Sequence, residues 1–182
     1  MHRERLLKLI KELAYEKKKV ILSSGKESDF YVDLRNITLH PEGLYLVSNL
    51  MFDIIEKEFE GVEAVGGPTL GADPIIGGII YLSHLRNKPL YGFIIRKEPK
   101  KHGLSKLIEG DKNLKNIKKV VIVEDVVTTG ESSFKAYNAA KDAGLRVEGV
   151  IAILDRNDGA KEFFKEKNIK IISIFDKEDV VE

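Results

Sequence analysis

The chain has 182 residues, of which 43% are hydrophobic and 32% charged, and its net charge is +1. That balance predicts one soluble domain, residues 1–182, with a real core, and gives no electrostatic case for nucleic acid or a membrane surface as partner. It contains no cysteine, which excludes disulfides, thiolate catalysis and Cys-ligated zinc; no apolar run nears the ~20 residues of a membrane span. Met1-His2-Arg3-Glu4-Arg5 leads into an amphipathic helix, not a signal peptide, so the expected address is the cytoplasm.

Leu6, Leu7, Ile10, Leu13 and Ala14 lie at helical spacing among Lys and Glu and predict the first helix. Val20-Ile21-Leu22 reads as a short strand closed by Ser23-Ser24-Gly25, and Phe30-Tyr31-Val32 as another that runs out through Asp33-Leu34-Arg35. Pro41 opens a helix that continues through Leu44, Val47, Leu50, Met51, Ile54 and Ile55. Ala64-Val65 is a brief strand entering the Gly/Pro loop 66–71, after which Asp73 is expected to cap a helix with Pro74 in its first turn. Leu90 to Ile95 is a strand, and the lysine-rich stretch Arg96 to Lys119 reads as a mobile loop with room for a hairpin. The apolar run Val120 to Val123 is a buried strand that stops at Glu124 and Asp125. A helix from about Glu131 to Ala143 ends at Gly144. Val147 to Leu154, Asp158 to Lys167 and Ile169 to Phe175 read as strand, helix and strand.

Strands alternate with helices from Pro41 onward. This is the pattern of an α/β fold, a mainly parallel central sheet flanked by helices. Residues 1–37 stand outside the alternation and read as a small N-terminal hood at one edge. Ligands of such sheets bind beyond the carboxyl ends of the strands. Three distinctive loops fall there: 66–73, 96–110 and 124–133.

The last of these offers two chemistries side by side. The carboxylates of Glu124 and Asp125 can accept hydrogen bonds from sugar hydroxyls or help to hold a divalent cation. Two adjacent carboxylates are costly to bury without partners, so they are expected to face solvent, a cation or hydroxyls. Thr128, Thr129, Gly130, Glu131, Ser132 and Ser133 then supply hydroxyls and backbone N–H groups at a helix N-terminus, a nest for a phosphate. A plain helix cap explains the turn alone but not the acidic pair before it. The glycine spacing matches neither a Walker A loop nor a dinucleotide fingerprint. His40 and His84 have no partner cluster and read as structural.

Val121 to Ser133 resembles the phosphoribosyl-diphosphate (PRPP) signature of the type I phosphoribosyltransferases. Other segments narrow the resemblance to the orotate phosphoribosyltransferase family. Ser24-Gly25-Lys26-Glu27-Ser28-Asp29-Phe30-Tyr31 resembles its hood segment, Gly66 to Pro74 its diphosphate loop, Arg96-Lys97-Glu98-Pro99-Lys100-Lys101-His102-Gly103 its catalytic loop, and Asp155-Arg156 the end of its orotate-contacting strand.

The resemblance implies the type I phosphoribosyltransferase fold and transfer of phosphoribosyl from PRPP to orotate. It also implies Mg2+ as cofactor and a homodimer whose catalytic loop is shared across subunits. It implies that Arg96, Lys97, Lys100, His102, Glu124, Asp125, Val126, Val127, Thr128, Thr129, Gly130, Glu131 and Ser132 bind PRPP, and that Thr128 and Arg156 contact orotate. Lys100, His102 and Asp125 are the implied catalytic residues, with Lys100 or His102 as proton donor. Glu124 and Asp125 become ribose-hydroxyl ligands, and no residue is assigned to a metal. Where some members of the family carry an aromatic residue and a lysine in the diphosphate loop, this chain has Leu70 and Gly71, so backbone N–H groups must do more there. A phosphoribosyltransferase acting on a purine or uracil is the competing enzyme. A sensor that kept the fold would need a nucleic-acid-binding element, and no such pattern is present.

Overall fold

The structure is a computed structural model that describes residues 1–21, 27–98 and 107–181. The N-terminal part comprises α1 (His2–Leu13), β1 (Tyr15–Glu16), β2 (Val20–Ile21), β3 (Glu27–Ser28), β4 (Tyr31–Val32) and a single helical turn, α2 (Arg35–Thr38). Then follow α3 (Pro41–Glu58), β5 (Ala64–Pro68), α4 (Ala72–Leu85), β6 (Tyr91–Ile95), β7 (Ile108–Glu109) and a 3-10 turn at Asp111–Leu114. The chain continues with β8 (Lys119–Val127), α5 (Glu131–Asp142), β9 (Arg146–Asp155), α6 (Ala160–Glu166), β10 (Lys170–Asp176) and α7 (Lys177–Val181).

The central sheet has six strands in the order β10-β9-β8-β5-β6-β7. All neighbours are parallel except β6 and β7, which form the antiparallel base of a hairpin. Side chains alternate across it. Val121 and Val123 of β8 pack with α1, α3 and α4 on one face, while Val120 and Ile122 pack with α5 and α6 on the other. This two-faced burial explains why β8 reads as a continuous apolar run. In the N-terminal part, β1 pairs with β4 and β2 with β3, both antiparallel. Leu6, Leu9 and Ile10 of α1 are buried in the same cluster as α3.

The chain leaves β5 for β6 on one side, then returns to β8 on the other and proceeds outward through β9 to β10. The crevice between β5 and β8 is therefore the topological switch point, where parallel sheets take their ligands. Pairing of β5 with β8 ends at Gly66 opposite Ile122, while β8 continues beside β9 as far as Val127 opposite Asp155. The carboxyl half of β8 thus lines an open crevice on its β5 side.

Several boundaries differ from the sequence expectation, each for a tertiary reason. The acidic pair does not end the strand: Glu124 lies opposite Ala152 and Val126 opposite Leu154, so pairing with β9 carries β8 past both carboxylates. β5 runs on to Pro68 because β6 pairs with it residue for residue. Asp73 is not the cap of α4: that helix starts at Ala72 with Gly71 before it, and the Asp73 carboxylate instead accepts a hydrogen bond from the Thr69 hydroxyl at 2.8 Å. His40 is structural, as expected, and accepts the Gly43 N–H at the N-terminus of α3.

Candidate active site

A cleft of about 1410 Å³ opens at the switch point. Its floor is the end of β8 and the following turn, from Glu124 to Ser133. The 68–71 loop and the β4–α2 segment also line it, together with Arg96 and Lys97 of the hairpin base and Arg156. The structure therefore brings Arg96, Lys97, Glu124, Asp125, Val126, Val127, Thr128, Thr129, Gly130, Glu131, Ser132 and Arg156 around one cavity. Lys100 and His102 lie outside the described residues, as do residues 24–26 of the hood motif.

The two carboxylates differ in setting. Glu124 is buried, and the Ser133 hydroxyl donates to its Oε2 at 3.1 Å. Burial, reinforced by the neighbouring Asp125, pushes its carboxyl well above the usual range. Asp125 is half-buried and its Oδ1 receives the Val126 N–H at 2.8 Å. Burial raises its pKa as well, partly offset by that N–H. The Asp125 carboxyl rests directly against Gly71, where a Cβ would stand 2.6 Å from both of its oxygens.

Gly130 precedes α5 with φ of 84°, a left-handed conformation that suits glycine. A Cβ there would also come within 2.8 Å of Phe164, so α6 fixes the turn from behind. No side chain caps α5, which leaves the first N–H groups of the helix facing the cleft beside Thr128, Thr129 and Ser132. Ser133 does not join this nest through its side chain, because its hydroxyl turns inward to Glu124.

Arg156 is 4% exposed. Its guanidinium lies 4.1 Å over the Phe30 ring, which stacks in turn on Tyr15, and its Nη2 donates to the Phe30 carbonyl at 3.4 Å. Its backbone N–H donates to Val127 at 3.0 Å, tying the strand end to the floor of the cleft. Burial pushes its pKa down, opposed by nearby Asp158. Phe30 is buried as a packing ring.

Three cations on the cleft were not singled out in the sequence: Lys18, Arg35 and Lys135. Arg35 had a readable signal, since an Asp-x-Arg step leaving a strand sets up a local ion pair, and Arg35 is held by both oxygens of Asp33. Lys18 and Lys135 had none beyond charge.

No protein-family model matches the sequence. The orotate phosphoribosyltransferase of Aquifex aeolicus (strain VF5) is 43% identical over 178 residues, which cover 96% of this chain and 95% of that one. The crystal structure of Mycobacterium tuberculosis H37Rv orotate phosphoribosyltransferase in complex with Fe(III) dicitrate aligns with a TM-score of 0.83 at 36% identity, over 100% of both chains. The same enzyme in complex with PRPP aligns with a TM-score of 0.78 at 34% identity, over 99% of both. With this identity along nearly its whole length, and with the PRPP signature and Arg156 gathered on one cleft at the switch point, the chain belongs to the orotate phosphoribosyltransferase family.

Proposed function

We propose that the chain transfers the phosphoribosyl group of PRPP to orotate, forming orotidine 5'-monophosphate and diphosphate on the cytoplasmic route to UMP. The observation that carries this reading is the meeting of the β8 carboxylates, the bare N-terminus of α5 and Arg156 on a single cleft. A sugar phosphate needs the first two together, and a flat anionic base suits the third.

The ribose carbon gains positive charge as diphosphate departs, so the site has to hold both fragments in line and stabilise the leaving anion. In this reading Glu124 and Asp125 accept hydrogen bonds from the ribose hydroxyls, and residues 126–132 cradle the 5'-phosphate. Thr128 and Arg156 hold orotate. The stacking of Arg156 on Phe30 fixes the guanidinium before the base arrives, so little side-chain entropy is lost on binding. Arg96, Lys97, Lys100 and His102 surround the diphosphate, and Lys100 or His102 supplies the proton. Residues 1–37 act as the hood over the base.

Among the described residues no three His, Asp or Glu side chains gather to hold a metal. Asp125 offers one carboxylate, with one oxygen already engaged by Val126. That donor set suits a magnesium ion carried mainly by substrate oxygens and water. When bound, the ion neutralises charge on the diphosphate. The chain acts as a homodimer. Tyr81 and Leu85 of α4 and Tyr91 of β6 are each at least half exposed, and such apolar surface suits a second copy.

Steady-state release of diphosphate from PRPP with a panel of bases tests the acceptor. Orotate should be turned over about 100-fold or more better than uracil or a purine, as a site with a fixed guanidinium rejects bases lacking its partner. Comparable turnover with another base would remove orotate as the acceptor.

A further inference from the structure

The loop over which diphosphate would lie, Gly66 to Gly71, contains no lysine or arginine. It cannot gain one at position 71 without moving Asp125, whose carboxyl lies where the Cβ would stand. From that wall a polyanion meets only backbone N–H groups and a neighbouring carboxylate. Unless a cation faces it, the arrangement repels the leaving group.

A fixed cation lines the same cleft. Arg35 begins α2 and lines the cleft together with Gly71 and Asp125. Its Nε and Nη2 donate to the two oxygens of Asp33, each at 2.8 Å, and its backbone N–H donates to Asp33 Oδ1 at 3.1 Å. The clamp holds the Asp33 carboxyl below the usual range, so both partners stay ionised. Two of the five guanidinium N–H groups are spent on the clamp, which sets the plane of the fork. The side chain remains 49% exposed, and its charge is felt at Asp125. Lys18, the other cation of this part of the cleft, is turned onto the Tyr31 ring at 4.7 Å, whereas Arg35 is the one whose charge reaches Asp125.

We infer that Arg35, oriented by Asp33, binds the diphosphate of PRPP and supplies from the hood the fixed positive charge that the 66–71 loop lacks. The inference rests on the proposed phosphoribosyl transfer. Titration calorimetry with Mg2+ and either inorganic diphosphate or ribose 5-phosphate, on wild-type, Arg35→Ala, Arg35→Lys and Asp33→Asn proteins, tests it. Arg35→Ala should weaken diphosphate about tenfold or more, the scale of a lost charged hydrogen bond, and leave ribose 5-phosphate within about twofold. Arg35→Lys should recover part of the loss, and Asp33→Asn, which loosens the fork but also removes a repelling carboxylate, should change diphosphate affinity less than Arg35→Ala does.

Unchanged diphosphate affinity in Arg35→Ala would overturn the inference, and so would equal loss of both ligands. A wild-type protein that makes product from orotate while Arg35→Ala keeps its diphosphate affinity sinks this inference alone. A wild-type protein that makes no product while Arg35→Ala loses diphosphate sinks the proposed transfer and keeps the anion site.

Discussion

Glu124 shows at the scale of one residue how binding chemistry competes with stability. Its carboxyl is buried next to Asp125 with one hydroxyl partner, and its pKa is raised mainly by that burial. A carboxyl whose pKa is higher folded than unfolded binds its proton more tightly in the folded state. Stability of the empty protein therefore falls as pH rises from the ordinary glutamate value of 4.5 through the folded value, and does not recover above it. Glu124→Gln removes the charge and keeps the shape. It should raise the melting temperature at neutral pH while raising the KM for PRPP about tenfold, because a ribose hydroxyl loses a charged acceptor. Thermal unfolding and steady-state kinetics check the two halves, and a lower melting temperature would show that the buried carboxyl is not a net cost. The sequence announced this pair as costly. It did not announce Ser133 as the partner, because which of two adjacent serines turns inward depends on the rotation of α5 against the sheet.

Among the elements, the turn between β8 and α5 carries the densest constraint. Gly130 combines a φ of 84° with Phe164 pressed behind it. Gly130→Ala should destabilise the fold by about 1–2 kcal/mol from the left-handed backbone alone, and more if Phe164 cannot yield. The KM for PRPP should rise with it, since the N–H groups of the nest would shift. A variant with wild-type melting temperature and KM would contradict the nest.

The segment from Arg96 to Gly103 makes a separate prediction. Lys100→Ala should lower kcat about 100-fold and leave the orotate dissociation constant within about threefold, the signature of a contact made in the transition state. An unchanged kcat would remove Lys100 from the chemistry. At this scale the apolar run of β8 was plain to read, while the stretch after β6 read as a loop with room for the hairpin that β7 forms. The extension of β8 through Glu124 to Val127 was hidden, because it is set by pairing with β9 and not by local hydrophobicity. Asp73 misled for a similar reason: a good capping residue found a nearer donor in Thr69.

For the whole molecule, alternation of strands and helices predicted the parallel sheet, and the order β10-β9-β8-β5-β6 puts the switch point where the motif loops converge. The two-residue strands before α2 were only partly legible, since each is too short for a periodic signal and relies on a partner further along the chain. The proposed sharing of the catalytic loop between subunits is testable by complementation. Mixing Lys100→Ala with Glu124→Gln protein, after subunit exchange, should restore about a quarter of wild-type activity when assayed at PRPP well below the KM, where Glu124→Gln alone keeps about a tenth. Half of the dimers would then be mixed, each with one intact site. No gain over the parent proteins, with exchange verified, would place the loop within its own subunit.

Phosphoribosyl transfer itself is measured by following both products together. Purified protein with PRPP, orotate and Mg2+ should form orotidine 5'-monophosphate and diphosphate in equal amounts, identified by mass spectrometry, and neither should form when orotate is omitted. Diphosphate released without the nucleotide, or no consumption of orotate at all, would contradict the account.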